Sequence, residues 1–223
     1  MRFFEDPIGY LIGLLYFIPV FLITITVHEV AHAYVAWRLG DPTARAMGRI
    51  SLNPMRHIDP VGLIMMVVLR FGWAKPVQIN PRNFRNEKAG MAISALAGPV
   101  SNLLMAFAGV ILFHTFLFVF LRNTTEVTSF MYSTIRFFLE FIRWNILFAV
   151  FNMLPIPPLD GSRIVNYFLP PHLSRYYEYV ERYGFIILMV LLMTGILWGP
   201  MGFMQRVIWN GMNSAVGALF NLF

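Results

Sequence analysis

His28, Glu29 and His32 are the residues of this sequence best suited to chemistry. On a helix, positions four apart project from one face a single turn from each other, so the two imidazoles can share one metal ion. Glu29 lies between them in the sequence. In zinc hydrolases the pattern H-E-x-x-H supplies two imidazole ligands and a carboxylate that takes a proton from a water polarised by the metal. A third candidate is Asp160, which follows Pro155-Ile156-Pro157-Pro158-Leu159 and precedes Gly161. Taken alone, Asp160-Gly161 also reads as an ordinary turn.

The elements that must position these residues are apolar. The 223 residues are 58% hydrophobic and 13% charged, with a mean hydropathy of +0.64, which is too apolar for a soluble domain of this length. An integral membrane protein is expected. There is no cysteine, so neither disulfides nor thiolates are available, and a metal must be held by His, Asp, Glu or Asn. The formal charge of +6 sits beside hydrophobic segments, where lipid headgroups and topology account for it without nucleic acid. A secretion signal is excluded because the apolar run from Ile8 to Val27 is longer than the 7 to 15 residues, roughly, of a signal core.

A first span is expected over residues 7–37, closed by Arg38, Gly40 and Pro42. His32 lies six residues before Arg38, roughly 9 Å along a helix, which puts the motif inside the membrane near one face. Thr24, His28 and His32 form one stripe, so Thr24 is placed to support a ligand. Residues 38–90 hold nine Lys or Arg against three acids, which makes this segment cytoplasmic. Within it, the apolar stretch beginning at Val61 is too short to span; its β-branched residues favour a re-entrant or interfacial β-hairpin over 61–75.

A second span is expected over 89–121. Ser94, Gly98 and Ser101 let another helix approach closely, and Asn102 reads either as an interhelical packing residue or as part of a site. His114 reads as structural. Asn123-Thr124-Thr125 matches a glycosylation pattern too short to carry weight. A third span, 135–154, ends where three prolines in four residues stop the helix. A fourth is expected over 184–198 with tyrosines at the interface, and the tail from Gly199 as a helix lying in the interface. The expected fold is therefore an all-α polytopic membrane protein of about four transmembrane helices with a short membrane-associated β-hairpin. On this topology the N-terminus is outside, and His28, His32 and the arm bearing Asp160 reach the same cytoplasmic face. Two imidazoles and one carboxylate then meet around one ion and leave a position for water.

In combination, the motifs resemble the site-2 protease family of intramembrane zinc metalloproteases. The matching residues are His28-Glu29-x-x-His32, Asn53-Pro54 with His57-Ile58-Asp59-Pro60-x-Gly62, Gly98-Pro99-x-x-Asn102, and Asn152-x-x-Pro155-x-x-Pro158-Leu159-Asp160-Gly161. The resemblance covers most of residues 20–165. It implies one zinc held by His28, His32 and Asp160, Glu29 as general base, and Asn102, Asn152 and His57 near the substrate or the oxyanion. It further implies transmembrane-segment protein substrates and a single protease domain over 1–223. No segment is long enough for the PDZ domain that larger members carry.

Two other readings use the same ligands. A metal-ion transporter needs a polar path to both faces, yet residues 8–23 contain no acid, base or histidine. An inactive metal-binding scaffold keeps the ligands but has no need of Glu29. A compact, cysteine-free chain suits a prokaryotic plasma membrane.

Overall fold

The computed structural model describes residues 6–69, 72–121 and 128–220. The long first helix, α1 (Pro7–Arg38), starts where Asp6 accepts a hydrogen bond from the Gly9 amide at 2.8 Å and Pro7 occupies the first turn. It stops at Gly40, whose φ of +110° is open to glycine but not to most side chains. A short α2 (Thr43–Ala46) and a 3-10 turn (Pro54–Arg56) lead into α3 (Pro60–Leu69). A second 3-10 turn (Pro81–Asn83) precedes α4 (Glu87–Leu121). Then come α5 (Ser129–Asn152), α6 (Asp160–Phe168), α7 (Pro171–Thr194) and α8 (Trp198–Phe220).

α1, α4 and α5 pack against one another and form the centre of the bundle. Association of apolar helices in lipid depends on close packing rather than on burial from water. Small residues provide it here: a Cβ added at Gly109 of α4 would lie 2.9 Å from Ile142 of α5. One core cluster joins Ala106 and Val110 of α4 to Ile142, Ile146 and Val150 of α5 and to Met201 and Val216 of α8. A second is built on Leu14, Phe17, Phe21 and Ile25 of α1, with Trp144 and Phe148 of α5 packed against it.

Two expectations about the fold are corrected. The segment 61–75 is not a β-hairpin: residues 60–69 form α3, and the described residues contain no strand. The helix is nucleated by Asp59, whose Oδ1 accepts from the Gly62 amide at 2.9 Å, with Pro60 in the first turn. This capping outweighs the weak strand preference of Val and Ile. The returning chain makes an isolated antiparallel bridge, Ile58 with Ala74, and the Lys75 amide donates to the His57 carbonyl at 2.8 Å. Arg70 and the Asn123-Thr124-Thr125 pattern lie outside the described residues.

The count of four spans is also corrected. Two helices, residues 7–38 and 87–120, are long and apolar enough to cross a membrane, and a third crossing exists if the bent pair 179–194 and 198–220 is one span. α5 carries Arg136, Glu140 and Arg143, which lower its mean hydropathy. The helix expected over 184–198 begins earlier, at Pro171, and ends at Thr194. There Gly195, with φ +74°, turns the chain, and the two helical segments meet at 84°. The tail is helical from Trp198 and packs against α4 and α5.

Candidate metal centre

α1 presents His28 and His32 one turn apart, with ring centroids 4.5 Å apart and planes at 88°. Their Nε2 atoms approach to 2.9 Å. Asp160, the first residue of α6, places Oδ2 3.2 Å from each of them. All three residues are buried. The Pro155–Pro158 arm carries the chain from the end of α5 to Asp160. It is fixed by the Tyr177 hydroxyl of α7, which donates to the Pro155 carbonyl at 2.9 Å. Gly161 is required behind the ligand, because a Cβ there would lie 2.3 Å from the Met153 carbonyl oxygen.

Hydrogen bonds on the far side of each ring decide what the near side can do. His32 Nδ1 lies 2.7 Å from the Ser94 carbonyl oxygen. A carbonyl only accepts, so Nδ1 carries the proton and Nε2 keeps its lone pair. His28 Nδ1 lies 2.7 Å from Asn102 Oδ1. The Asn102 amide donates from Nδ2 to the Thr24 carbonyl at 3.2 Å, which turns Oδ1 toward His28 and gives this ring the same tautomer. With both rings neutral, as metal ligands must be, two nitrogen lone pairs and a carboxylate oxygen converge with no hydrogen between them. Asp160 Oδ2 is buried and has no hydrogen-bond donor. Such a cluster is repulsive unless a cation joins it. The separations of 2.9 to 3.2 Å are close to the edge of about 3.3 Å expected between ligands of a tetrahedral zinc with bonds near 2.0–2.1 Å. The donor set fits zinc.

Space over the centre depends on Gly98 of α4. A Cβ at that position would lie 2.4 Å from His32 Nε2 and 2.5 Å from His28 Cε1. The small residues at 94 and 98 therefore serve two purposes: one offers a carbonyl to His32, the other leaves room for both rings.

Glu29 is half-buried and lines a cavity of about 470 Å3. Its Oε2 accepts from the Val77 amide at 2.9 Å. The cavity is walled mainly by apolar side chains, among them Phe21 of α1, Phe148 of α5, Leu188 of α7 and Met201 of α8; His28, Glu29 and Asn152 are its polar members beside the centre. Asn152 donates from Nδ2 to the Phe148 carbonyl at 3.0 Å.

The remaining sequence candidates fall elsewhere. Asn102 is fully buried behind His28 and does not line the cavity. His57 is also fully buried away from it, with Nε2 2.8 Å from the Ser51 carbonyl oxygen. Thr24 meets the site through its main-chain carbonyl. Two main-chain partners, the Ser94 carbonyl and the Val77 amide, carry no residue-type signal and were not foreseeable as such. His114 bonds the Val110 carbonyl of its own helix at 3.1 Å, in keeping with a structural residue.

Comparison with known proteins gives one consistent result. Peptidase family M50 matches residues 16–193. A Bacillus subtilis (strain 168) protein named "Putative zinc metalloprotease YwhC" is 37% identical over 211 residues, covering 93% of this chain and 90% of its own. "Putative zinc metalloprotease Rip2" of Mycolicibacterium smegmatis is 30% identical over 213 residues, covering 91% of this chain and 75% of its own. Its namesake in Mycobacterium tuberculosis (strain ATCC 25618 / H37Rv) is 28% identical over 198 residues, 87% and 73% of the two chains. No solved structure matches the chain.

Proposed function

The chain belongs to peptidase family M50 and is a membrane-spanning zinc metalloprotease, and from that premise we propose that it cleaves membrane-protein substrates within or near their transmembrane segments. The observation that carries this reading is the placement of Glu29 on an apolar cavity beside three converging ligand atoms. An ordinary soluble peptide gains little from apolar walls of this kind, whereas a transmembrane segment presents the matching surface.

In this reading His28, His32 and Asp160 hold the zinc. When bound, zinc supplies Lewis-acid polarisation of a water and of the scissile carbonyl. Glu29 acts as general base through Oε1, because Oε2 is occupied by the Val77 amide. The same amide prevents the carboxylate from swinging into the centre as a further ligand. Asn152 keeps one amide hydrogen beyond its bond to Phe148 and directs it to the substrate. Asn102 acts from behind, on the orientation of His28, rather than on the substrate. The substrate's scissile region must unwind, since a helix hides its carbonyls in its own hydrogen bonds. Residues 1–223 act as one protease domain, with the site near the cytoplasmic face of a prokaryotic plasma membrane and the N-terminus outside.

The test is cleavage of a panel of tagged single-span membrane proteins by the purified protein in detergent, with bound zinc quantified, for wild type and Glu29→Gln. We expect cleavage by wild type alone and the same zinc content in both. Cleavage that survives in Glu29→Gln would remove Glu29 from the chemistry. Zinc bound by wild type with no cleavage across the panel would count against membrane-segment substrates.

A further inference from the structure

Asn145 of α5 is fully buried, lies outside the cavity and touches none of the three ligands. A primary amide in the middle of an apolar helix is costly unless its donors and acceptor are used. Its Nδ2 donates to the Phe141 carbonyl at 2.8 Å. Its Oδ1 accepts from Asn102 Nδ2 at 3.2 Å. Asn102 in turn presents Oδ1 to His28 Nδ1 at 2.7 Å.

The direction of every bond in this chain follows from its first member. The Phe141 carbonyl can only accept, so Asn145 turns its NH2 group to Phe141 and its oxygen to Asn102. Asn102 must then offer NH2 to Asn145 and its oxygen to His28. His28 must therefore carry its proton on Nδ1 and its lone pair on Nε2, the atom that faces His32 and Asp160. His32 reaches the same state more simply, against a main-chain carbonyl of α4.

We infer that Asn145 is a positioning residue for the metal centre, holding the Asn102 amide so that His28 presents an unprotonated Nε2. The relay runs across three helices, α5 to α4 to α1, and the same α5 leads through the proline arm to Asp160. Thr24 shares the task by accepting the other Asn102 hydrogen. Loss of Asn145 thus leaves Asn102 with one of its two anchors and a buried amide hydrogen without a partner. The inference rests on the reading that His28, His32 and Asp160 hold zinc.

The test is a zinc dissociation constant for the purified full chain in detergent, measured by competition with a chromophoric chelator. The proteins compared are wild type, Asn145→Leu, Asn145→Asp, His28→Ala and, as a packing control, Ile142→Val. Asn145→Leu is expected to weaken zinc binding about tenfold, at the lower end of the effect of outer-shell partners. Asn145→Asp, as the neutral acid that an apolar bundle favours, donates its hydroxyl to the Phe141 carbonyl and keeps an oxygen toward Asn102. It is expected to stay within about twofold of wild type, as is Ile142→Val. Should Asn145→Leu not fold, Asn145→Ser, which can still bond Phe141 but does not reach Asn102, gives the same comparison. Wild-type affinity in the variant lacking the acceptor would overturn the inference alone, as would an equal loss in Asn145→Asp or in Ile142→Val. Undiminished zinc in His28→Ala would overturn the metal reading and this inference with it.

Discussion

A glycine decides whether the two imidazoles can stand where they do. Gly98 sits against both rings, and any side chain there would occupy the space of His32 Nε2, 2.4 Å from where its Cβ would lie. The rings have little freedom to retreat, since each is held from behind at 2.7 Å. Gly98→Ala is therefore expected to lower zinc affinity by at least about tenfold, the scale on which disturbance of a ligand's support acts, while leaving the helical content of the protein intact. Zinc content after dialysis together with far-ultraviolet circular dichroism checks both halves, and full zinc retention would show that the rings can move. At this scale the sequence was informative about side chains and silent about the main chain. The spacing of His28 and His32 put them on one face, and polar residues in apolar helices drew attention to Asn102 and Asn152. It could not say that Asn102 turns toward His28 and Asn152 toward the cavity, because both are asparagines in helices and only the helix rotations separate them. His57 shows the same limit, as a motif residue whose ring is turned to the Ser51 carbonyl and away from the cavity.

Between α1 and α4 the chain is tied down by one carboxylate. Asp41 is fully buried just beyond the end of α1. It accepts from the Thr43 hydroxyl at 2.5 Å, from the Asn83 amide at 2.7 Å and from the Asn80 main-chain N–H at 2.8 Å. It so fastens the segment that carries Lys75 and Val77 past the centre to the end of the helix bearing the histidines. Burial alone would raise its pKa, but these donors together hold it below the usual carboxylate value. A depressed folded-state pKa means that the charged form stabilises the fold above the unfolded value, near 3.9, and that this contribution disappears as pH falls through the lower folded value. Asp41→Ala is expected to cost about 1–3 kcal/mol through its unpaired donors. The difference in thermal midpoint between wild type and variant should be steady from about pH 5 to 8 and should narrow below about pH 4. A gap that widens in acid would show that Asp41 is protonated in the folded protein. The signal that sequence reading weighed wrongly belongs to this scale as well. Asp59-Pro60 is a helix start as plain as Asp6-Pro7, yet the β-branched residues that follow were given more weight than the cap.

For the whole molecule, the site depends on α1 and α5 running the same way, with α4 returning between them. The charge pattern led to the expectation of the same arrangement, with the excess of Lys and Arg over residues 38–90 and the prolines after α5 at one face. The number of crossings was not legible: residues 135–154 read as a span, yet α5 is not among the helices apolar enough to cross, because hydropathy assigns its three charges to water. Within the bundle some charges find protein partners instead: Arg136 lies 4.6 Å from the centre of the Tyr16 ring, and Glu140 accepts from the Trp144 indole at 3.1 Å. Partners of this kind let a helix with three charges lie against α1 and α4. The arrangement makes a definite demand on topology: Met55 and the start of α5 at Phe130 must face opposite sides of the membrane. Both residues are exposed, and the chain has no cysteine of its own, so single cysteines report cleanly. A membrane-impermeant maleimide added to intact cells is expected to label Phe130→Cys and not Met55→Cys, and to label both after permeabilisation. The reverse pattern would put the centre near the outer face. Labelling of both in intact cells would mean that α4 does not carry the chain across the membrane between Met55 and Phe130, and the arrangement of α1, α4 and α5 would then be wrong.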